Sequence, residues 1–233
     1  MINYFSFKLA WEEDLDPTRT YIFLAPPHGV LPLGALLSAL STKLTSGLYF
    51  RGLTADMTFR VPLFGQFMTW LGCVSADRRT ALKHLKKPES IGICPDGVAG
   101  IFNSDHDHEV LRILDRKGFI RLALVTGTPI VPIYFFGNTD TFTLWYDSLG
   151  IMKSLSKALK CGVVFIWGRF FLPIAYRTPL FGIAGKVIEV PLIVNPSKED
   201  VDKYHAIALD RLKGLFDSYK VPYGWAEKEL FYT

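Results

Sequence analysis

Charge is scarce in this chain. Asp, Glu, Lys and Arg make up 21% of its 233 residues, against about 25% in ordinary soluble domains. Apolar residues reach 49% and the mean hydropathy is +0.22, so some apolar surface is expected to meet lipid or a lipid substrate. The 26 basic and 22 acidic residues leave a net charge of +4, a mild excess that suits an anionic membrane surface or ligand. No basic cluster interleaves with aromatics in a recognisable motif, and nucleic acid is not expected as a partner. Cysteine is also sparse. Cys73, Cys94 and Cys161 stand far apart in a chain large enough to bury a core without staples, which predicts reduced, mostly buried thiols. Long apolar runs are missing as well. The longest uncharged stretch, about residues 21–43, could cross a bilayer by length, but Pro26, Pro27, His28, Gly29 and Pro32 interrupt it. No transmembrane helix is expected, and Trp11, Glu12, Glu13 and Asp14 break any leader-like run at the start. Repeats, low-complexity tracts and linkers are lacking too, so residues 1–233 are expected to form one domain.

Short apolar runs alternate with helical patterns from end to end, which predicts an α/β fold. Residues 21–25 are a compact apolar run stopped by Pro26-Pro27, with a helix expected over 33–44 after the turn. Residues 91–94 end at Pro95-Asp96-Gly97 in the same manner, and the β-branched and aromatic run 130–136 predicts a third strand. A helix fits 117–125, ending at Gly127 and Pro129. Residues 163–167, 170–172 and 186–190 are further strand candidates. Val201, Tyr204, Ala208, Leu212, Leu215 and Tyr219 recur at helical spacing and predict a helix packed on the sheet.

The strongest local signal for chemistry is His28, set directly after a strand and followed by Gly29. Acyl transfer to an alcohol needs a base near pH 7 to accept the hydroxyl proton, and imidazole has about that pKa. A histidine in a turn is also a common structural residue, so the position alone does not decide. Asp105, His106, Asp107, His108 and Glu109 have the composition of metal ligands, but their crowding suits a polar loop and no distant partner motif completes a shell; no metal is expected.

The order of several motifs says more than any one of them. Pro27-His28-Gly29-Val30-Leu31-Pro32 is followed by Phe59-Arg60-Val61-Pro62-Leu63-Phe64-Gly65, then Gly72-Cys73-Val74-Ser75-Ala76-Asp77-Arg78 and Pro95-Asp96-Gly97. Arg116-Lys117-Gly118-Phe119 then leads to Pro129-Ile130-Val131-Pro132 and on to Gly137, with Gly168-Arg169 and Gly185-Lys186-Val187 behind. This series resembles the diacylglycerol acyltransferase 2 family, which includes monoacylglycerol and wax-alcohol acyltransferases. The resemblance runs from about Tyr4 to Leu230. It implies a mostly parallel central sheet flanked by helices, similar to the glycerolipid acyltransferases. It also implies acyl-CoA-dependent esterification of a neutral lipid alcohol, in triacylglycerol or neutral lipid synthesis, with acyl-CoA as co-substrate and no cofactor. The implied location is the cytosolic face of the endoplasmic reticulum membrane, or lipid droplets.

The family's usual His-Pro-His-Gly signature stands here as Pro26-Pro27-His28-Gly29, so the catalytic assignment goes to His28 alone. Glycerolipid acyltransferases orient their histidine with an Asp five positions later, where this chain has Leu33; another carboxylate or a backbone carbonyl must do that here. Asp96 is the candidate carboxylate, because Pro95-Asp96-Gly97 stands where those relatives have Pro-Glu-Gly and also follows a strand. Its alternative is to fix its own turn. Gly29 or Gly97 could supply backbone donors to an oxyanion. Arg60 and Arg78 are candidate contacts for CoA phosphates, with Arg116 and Lys117 at a helix start as further ones. The family tends to have a Glu where this chain has Gly100. That change and Pro26 leave a lipid-binding protein without turnover open as an alternative, and a lipid ester hydrolase, using the same base in a wetter site, is a further one. The family also commonly carries a hydrophobic hairpin ahead of the matched region. Without it, attachment would fall to apolar surface around residues 62–70 and 170–172, although core packing is the first expectation for both.

Overall fold

The computed structural model describes residues 2–45, 48–87, 89–97, 108–144, 154 and 165–233. Among these, the strands in chain order are β1 (Lys8–Trp11), β2 (Ile22–Leu24), β3 (Phe50–Thr54), β4 (Val74–Ser75), β5 (Ser90–Ile93) and β6 (His108–Leu111). They continue with β7 (Ile130–Phe136), β8 (Thr143–Leu144), β9 (Ile166–Trp167), β10 (Phe181–Ala184) and β11 (Glu229–Tyr232). The α-helices are α1 (Leu33–Thr45), α2 (Phe64–Trp70), α3 (Arg78–Leu85), α4 (Gly118–Thr126) and α5 (Lys198–Tyr223). Seven strands make the main sheet in the order β1-β10-β7-β2-β5-β3-β4. From β7 to β4 every neighbouring pair is parallel, while β10 runs antiparallel to β7 and carries β1 in parallel at the edge.

A parallel sheet covered on both faces needs strands that are apolar on both faces, and β7, Ile-Val-Pro-Ile-Tyr-Phe-Phe, is buried at every position. Ile130, Tyr134 and Phe136 join the core that packs α4 and α5, whereas Val131, Ile133 and Phe135 join the core containing Leu37 of α1. β2 divides in the same way, with Ile22 and Leu24 on one side and Phe23 on the other. The expected terminal helix is α5. Ser197 accepts from Asp200 N and the Asp200 carboxylate accepts from Ser197 N, a reciprocal cap that opens the helix, and Gly224 at φ +98° closes it. Val201, Ala208, Leu212 and Leu215 form its buried stripe, with Tyr204 and Tyr219 packed against the same core.

Two expected strands are not there. Residues 186–190 shrink to a single bridge between Ile130 and Ile188. Between that bridge and the β10 pairing lies Pro132 of β7, which has no N–H to donate and whose carbonyl accepts from Gly185 N at 2.8 Å. Residues 170–172 instead join a tight turn, where Phe170 and Phe171 both take φ +58°. Gly168 N donates to Leu172 O and Arg169 N to Ile174 O, both at 2.8 Å, so this short stretch folds back on itself. Of the strand expected over 163–167, Ile166 and Trp167 form β9, while 163 and 164 lie outside the described residues, as do Cys161 and Gly100.

The polar stretch 105–109 is corrected in part. Asp105, His106 and Asp107 lie outside the described residues, but His108 and Glu109 open β6, which pairs in parallel with β11. Glu109 is buried rather than solvated, accepting from Tyr134 Oη at 3.2 Å and Thr139 Oγ1 at 2.7 Å, with Lys228 Nζ 3.6 Å away. Burial pushes its carboxyl up to about 7, against the hydrogen bond from Thr139 and the charge of Lys228. Between pH 4.5 and about 7 the folded chain therefore holds a proton that the unfolded chain has released. Stability from this group is full below that window and is lost as pH rises through it. Glu109→Gln is expected to remove that slope. Thermal melting at pH 5 and pH 8 should show a smaller drop in Tm for the variant than for the parent, and equal drops would refute the assignment.

Candidate active site

Because β7, β2 and β5 are parallel neighbours, their carboxyl ends share one rim. The chain leaves β2 through Ala25-Pro26-Pro27 and reaches His28; it leaves β5 through Cys94-Pro95 and reaches Asp96; it leaves β7 at Gly137-Asn138. Phe135 N donates to Pro26 O at 3.0 Å and Ala25 N to Ile93 O at 2.9 Å, so the segment before His28 is tied to both flanking strands.

His28 is half-buried and lines a cavity of about 970 Å3. Its Nδ1 lies 2.8 Å from the carbonyl oxygen of Gly29. A carbonyl can only accept, so the neutral ring carries its proton on Nδ1 and keeps the lone pair on Nε2. The group that orients the ring is thus a backbone carbonyl. Asp96 meets the same residue elsewhere, its Oδ2 accepting from the backbone N–H of His28 at 2.7 Å. It is 1% exposed, and its other oxygen, Oδ1, has no hydrogen-bond partner. Burial raises the Asp96 pKa, opposed first by the His28 charge and then by the N–H it accepts.

The cavity wall is mainly apolar, with Ala35, Leu36 and Leu40 of α1 on one side and Phe64 and Met68 of α2 on another. Gly52 of β3 and Gly92 of β5, paired in register, contribute no side chain to its floor. Basic side chains gather at the starts of α3 and α4: Arg78, Arg116 and Lys117 all line the cavity. Arg116 Nε lies 3.4 Å from Asp115 and Lys117 Nζ 2.6 Å from Asp202, so both are partly neutralised. Arg121, one turn into α4, lines the cavity as well and was not foreseen from the sequence. Among the described residues neither Arg78 nor Arg121 has an ion-pair partner, which leaves both free for an anion. Arg60 is the exception. It is exposed at the end of the 3-10 helix Asp56–Arg60, where Thr58 and Val61 line the cavity and Arg60 does not. Gly97 lines the cavity at φ +51°, its N–H donating to Cys94 O at 3.3 Å, and Gly29 is buried at φ +57°.

The profile of the family described as diacylglycerol acyltransferase matches residues 1–231. The chain belongs to that family. It is 31% identical to the Bos taurus diacylglycerol O-acyltransferase 2-like protein 6, over 97% of this chain and 74% of that protein. It is 29% identical to diacylglycerol O-acyltransferase 2 of Danio rerio, covering 98% and 69%. Identity to acyl-CoA wax alcohol acyltransferase 1 of Mus musculus is also 29%, covering 95% and 73%. The crystal structure of the 1-acyl-sn-glycerophosphate acyltransferase PlsC from Thermotoga maritima shares the fold, with a TM-score of 0.53 at 16% identity, over 93% of this chain and 74% of that one. The protein is therefore an acyltransferase, diacylglycerol O-acyltransferase-like, on an α/β frame shared with that glycerolipid acyltransferase structure.

In this acyltransferase Asn138 is a second residue, after Arg121, that sequence reasoning passed over. It is fully buried and donates from Nδ2 to the carbonyls of Pro27 and His28 at 3.0 and 2.8 Å. The argument that brings His28 and Asp96 to one rim applies equally to Asn138, two residues after β7, and that was the signal available. The segment 62–70 also departs from expectation. Leu63 is 89% and Trp70 77% exposed, so these side chains stand at the surface instead of filling the core, Trp70 lining the cavity, and Phe170 and Phe171 are exposed too. Among the described residues no helix is long and apolar enough to cross a membrane.

Proposed function

We propose that the protein transfers a fatty acyl group from acyl-CoA to the hydroxyl of a lipid alcohol, a diacylglycerol, a monoacylglycerol or a long-chain alcohol, with His28 as general base. The observation that carries this reading is one cavity with His28 in its wall, apolar side chains along it and cationic ones at α3 and α4. Each buried methylene of an acyl chain contributes about 0.8 kcal/mol, which suits an apolar enclosure of this size. The arginines suit the phosphates of CoA. The names of the relatives support the choice of acceptors.

In the proposed step Nε2 takes the proton of the acceptor hydroxyl while its oxygen attacks the thioester carbonyl. The C–S bond then breaks, the ester is released, and the CoA thiolate recovers the proton from the imidazolium. No cofactor and no covalent enzyme intermediate enter this scheme. The proposal extends to neutral lipid synthesis on the cytosolic face of the endoplasmic reticulum membrane or at lipid droplets. The exposed Leu63, Phe67 and Trp70, on the segment whose Val61, Phe64 and Met68 line the cavity, would rest on the bilayer and admit the water-insoluble alcohol.

The test is incubation of the purified chain with radiolabelled acyl-CoA, phospholipid vesicles and a panel of the three acceptors. Label is expected in an ester, with the protein sedimenting with the vesicles in both low and high salt. Label released only as free acid would replace transfer by hydrolysis, and bound label without turnover would indicate a lipid-binding protein. Absence from the vesicle pellet would remove the membrane part of the proposal.

A further inference from the structure

Asn138 is 0% exposed and stands two residues beyond the end of β7, facing the turn that leaves β2. Its Nδ2 reaches three carbonyls, those of Pro27 at 3.0 Å, His28 at 2.8 Å and Leu31 at 3.3 Å, while its Oδ1 accepts from Gly34 N at 2.9 Å. The amide has one orientation that fits, since carbonyls only accept and an N–H only donates. One side chain thus fastens both ends of the His28 turn and supplies a partner to a first-turn N–H of α1 that the helix itself cannot satisfy. The packing is close. Gly29 takes φ +57°, and a Cβ there would come within 2.8 Å of both Asn138 Nδ2 and its backbone oxygen. Asn138 is itself anchored, its carbonyl accepting from Thr141 Oγ1 at 2.8 Å.

We infer that Asn138 is a positioning residue for His28: it fixes the turn that carries the ring and the Gly29 carbonyl that holds Nδ1. This rests on the proposed role of His28, and the experiment keeps the two apart. Asn138→Asp has nearly the same shape and keeps an acceptor for Gly34 N, but turns a carboxylate oxygen toward the three carbonyls. Its kcat for acyl transfer is expected to fall at least about tenfold, a loss in the range that a small misplacement of a reacting group produces, with KM for acyl-CoA changed less than about threefold. The ratio of variant to parent activity is expected to rise as pH falls, because a protonated aspartic acid regains one donor. A loss of packing alone would not titrate. A kcat within threefold of the parent, or a ratio independent of pH, overturns the inference.

Should Asn138→Asp fail to fold, Thr141→Val removes only the hydroxyl anchor; kcat is expected to drop several-fold at constant KM, and an unchanged kcat overturns the inference. Nitrogen-15 shifts of the His28 ring supply a reading without substrate. The parent is expected to show the Nδ1-protonated tautomer and the Asn138→Asp variant, or Thr141→Val in its place, a mixture. If the parent shows no acyl transfer, the proposed function fails while these shifts still judge the role of Asn138; identical shifts in parent and variant count against it.

Discussion

Replacing His28 by alanine is expected to lower acyl transfer about a hundred- to ten-thousandfold, the range that removal of a positioned general base produces. The loss should sit in kcat, because the side chain meets the proton of the acceptor only as the oxygen attacks, while the CoA-facing groups stay in place. His28 is half-buried, and its backbone N–H, which alanine retains, is the group that meets Asp96. The variant should therefore fold, and an unchanged circular dichroism spectrum and Tm would show it. Steady-state rates with a saturating acceptor are the measurement. Activity within a few-fold of the parent would assign the base elsewhere and leave the Nδ1–Gly29 contact as a structural feature of the turn.

The elements read correctly from sequence are those whose pattern is dictated by burial alone. β7 is apolar throughout because both faces are covered, and α5 shows its stripe because one face packs over 26 residues. The strands that escaped are short and owe their existence to a neighbour. β6 and β11 are four-residue strands that pair with each other, and His-Glu-Val-Leu gives no alternation that would distinguish it from a polar loop. Conversely, Arg-Phe-Phe-Leu has the composition of a strand, yet backbone hydrogen bonds across Gly168 to Ile174 close it into a turn.

The site was legible to a similar depth. Parallel strand ends meeting at one rim brought His28 and Asp96 together, but which atom Asp96 would address depends on the path of the Pro26-Pro27 turn, which pattern does not encode. The Arg60 misplacement has the same cause. It lies two residues after Thr58 and one before Val61, and the winding of the 3-10 turn determines which of them lines the cavity. Asn138 was missed for a chemical reason: an amide does not titrate, so a search for acids, bases and phosphate ligands passes over a group that acts only through four hydrogen bonds.

Asp96→Asn is expected to lower kcat about a hundredfold, and the reason is electrostatic rather than geometric. Asparagine can still accept from His28 N through its amide oxygen, so the turn should hold. What disappears is a buried negative charge beside a ring that becomes cationic in the transition state. At an effective dielectric near 20, two unit charges several ångström apart attract by about 3 kcal/mol, which corresponds to a factor of about a hundred in rate. The direction of the pH effect follows. The charge exists only while Asp96 is ionised, so the ratio of parent to variant kcat should shrink as pH falls. Burial raises the Asp96 pKa and brings in the neutral acid at a higher pH than for an exposed carboxyl. If Asp96 is ionised in the working range, the rate falls and the ratio depends on pH; if it holds its proton there, Asp96→Asn leaves the rate where it was. The Oδ1 atom without a partner sharpens the comparison, because in the variant the amide N–H2 must occupy that position with no acceptor to receive it. That adds a stability loss of about 1–3 kcal/mol, seen as a lower Tm, without making the kcat ratio depend on pH. A hundredfold drop that narrows as pH falls therefore assigns the charge a role in the transition state, whereas a lower Tm with a kcat ratio near one at every pH confines Asp96 to holding the turn.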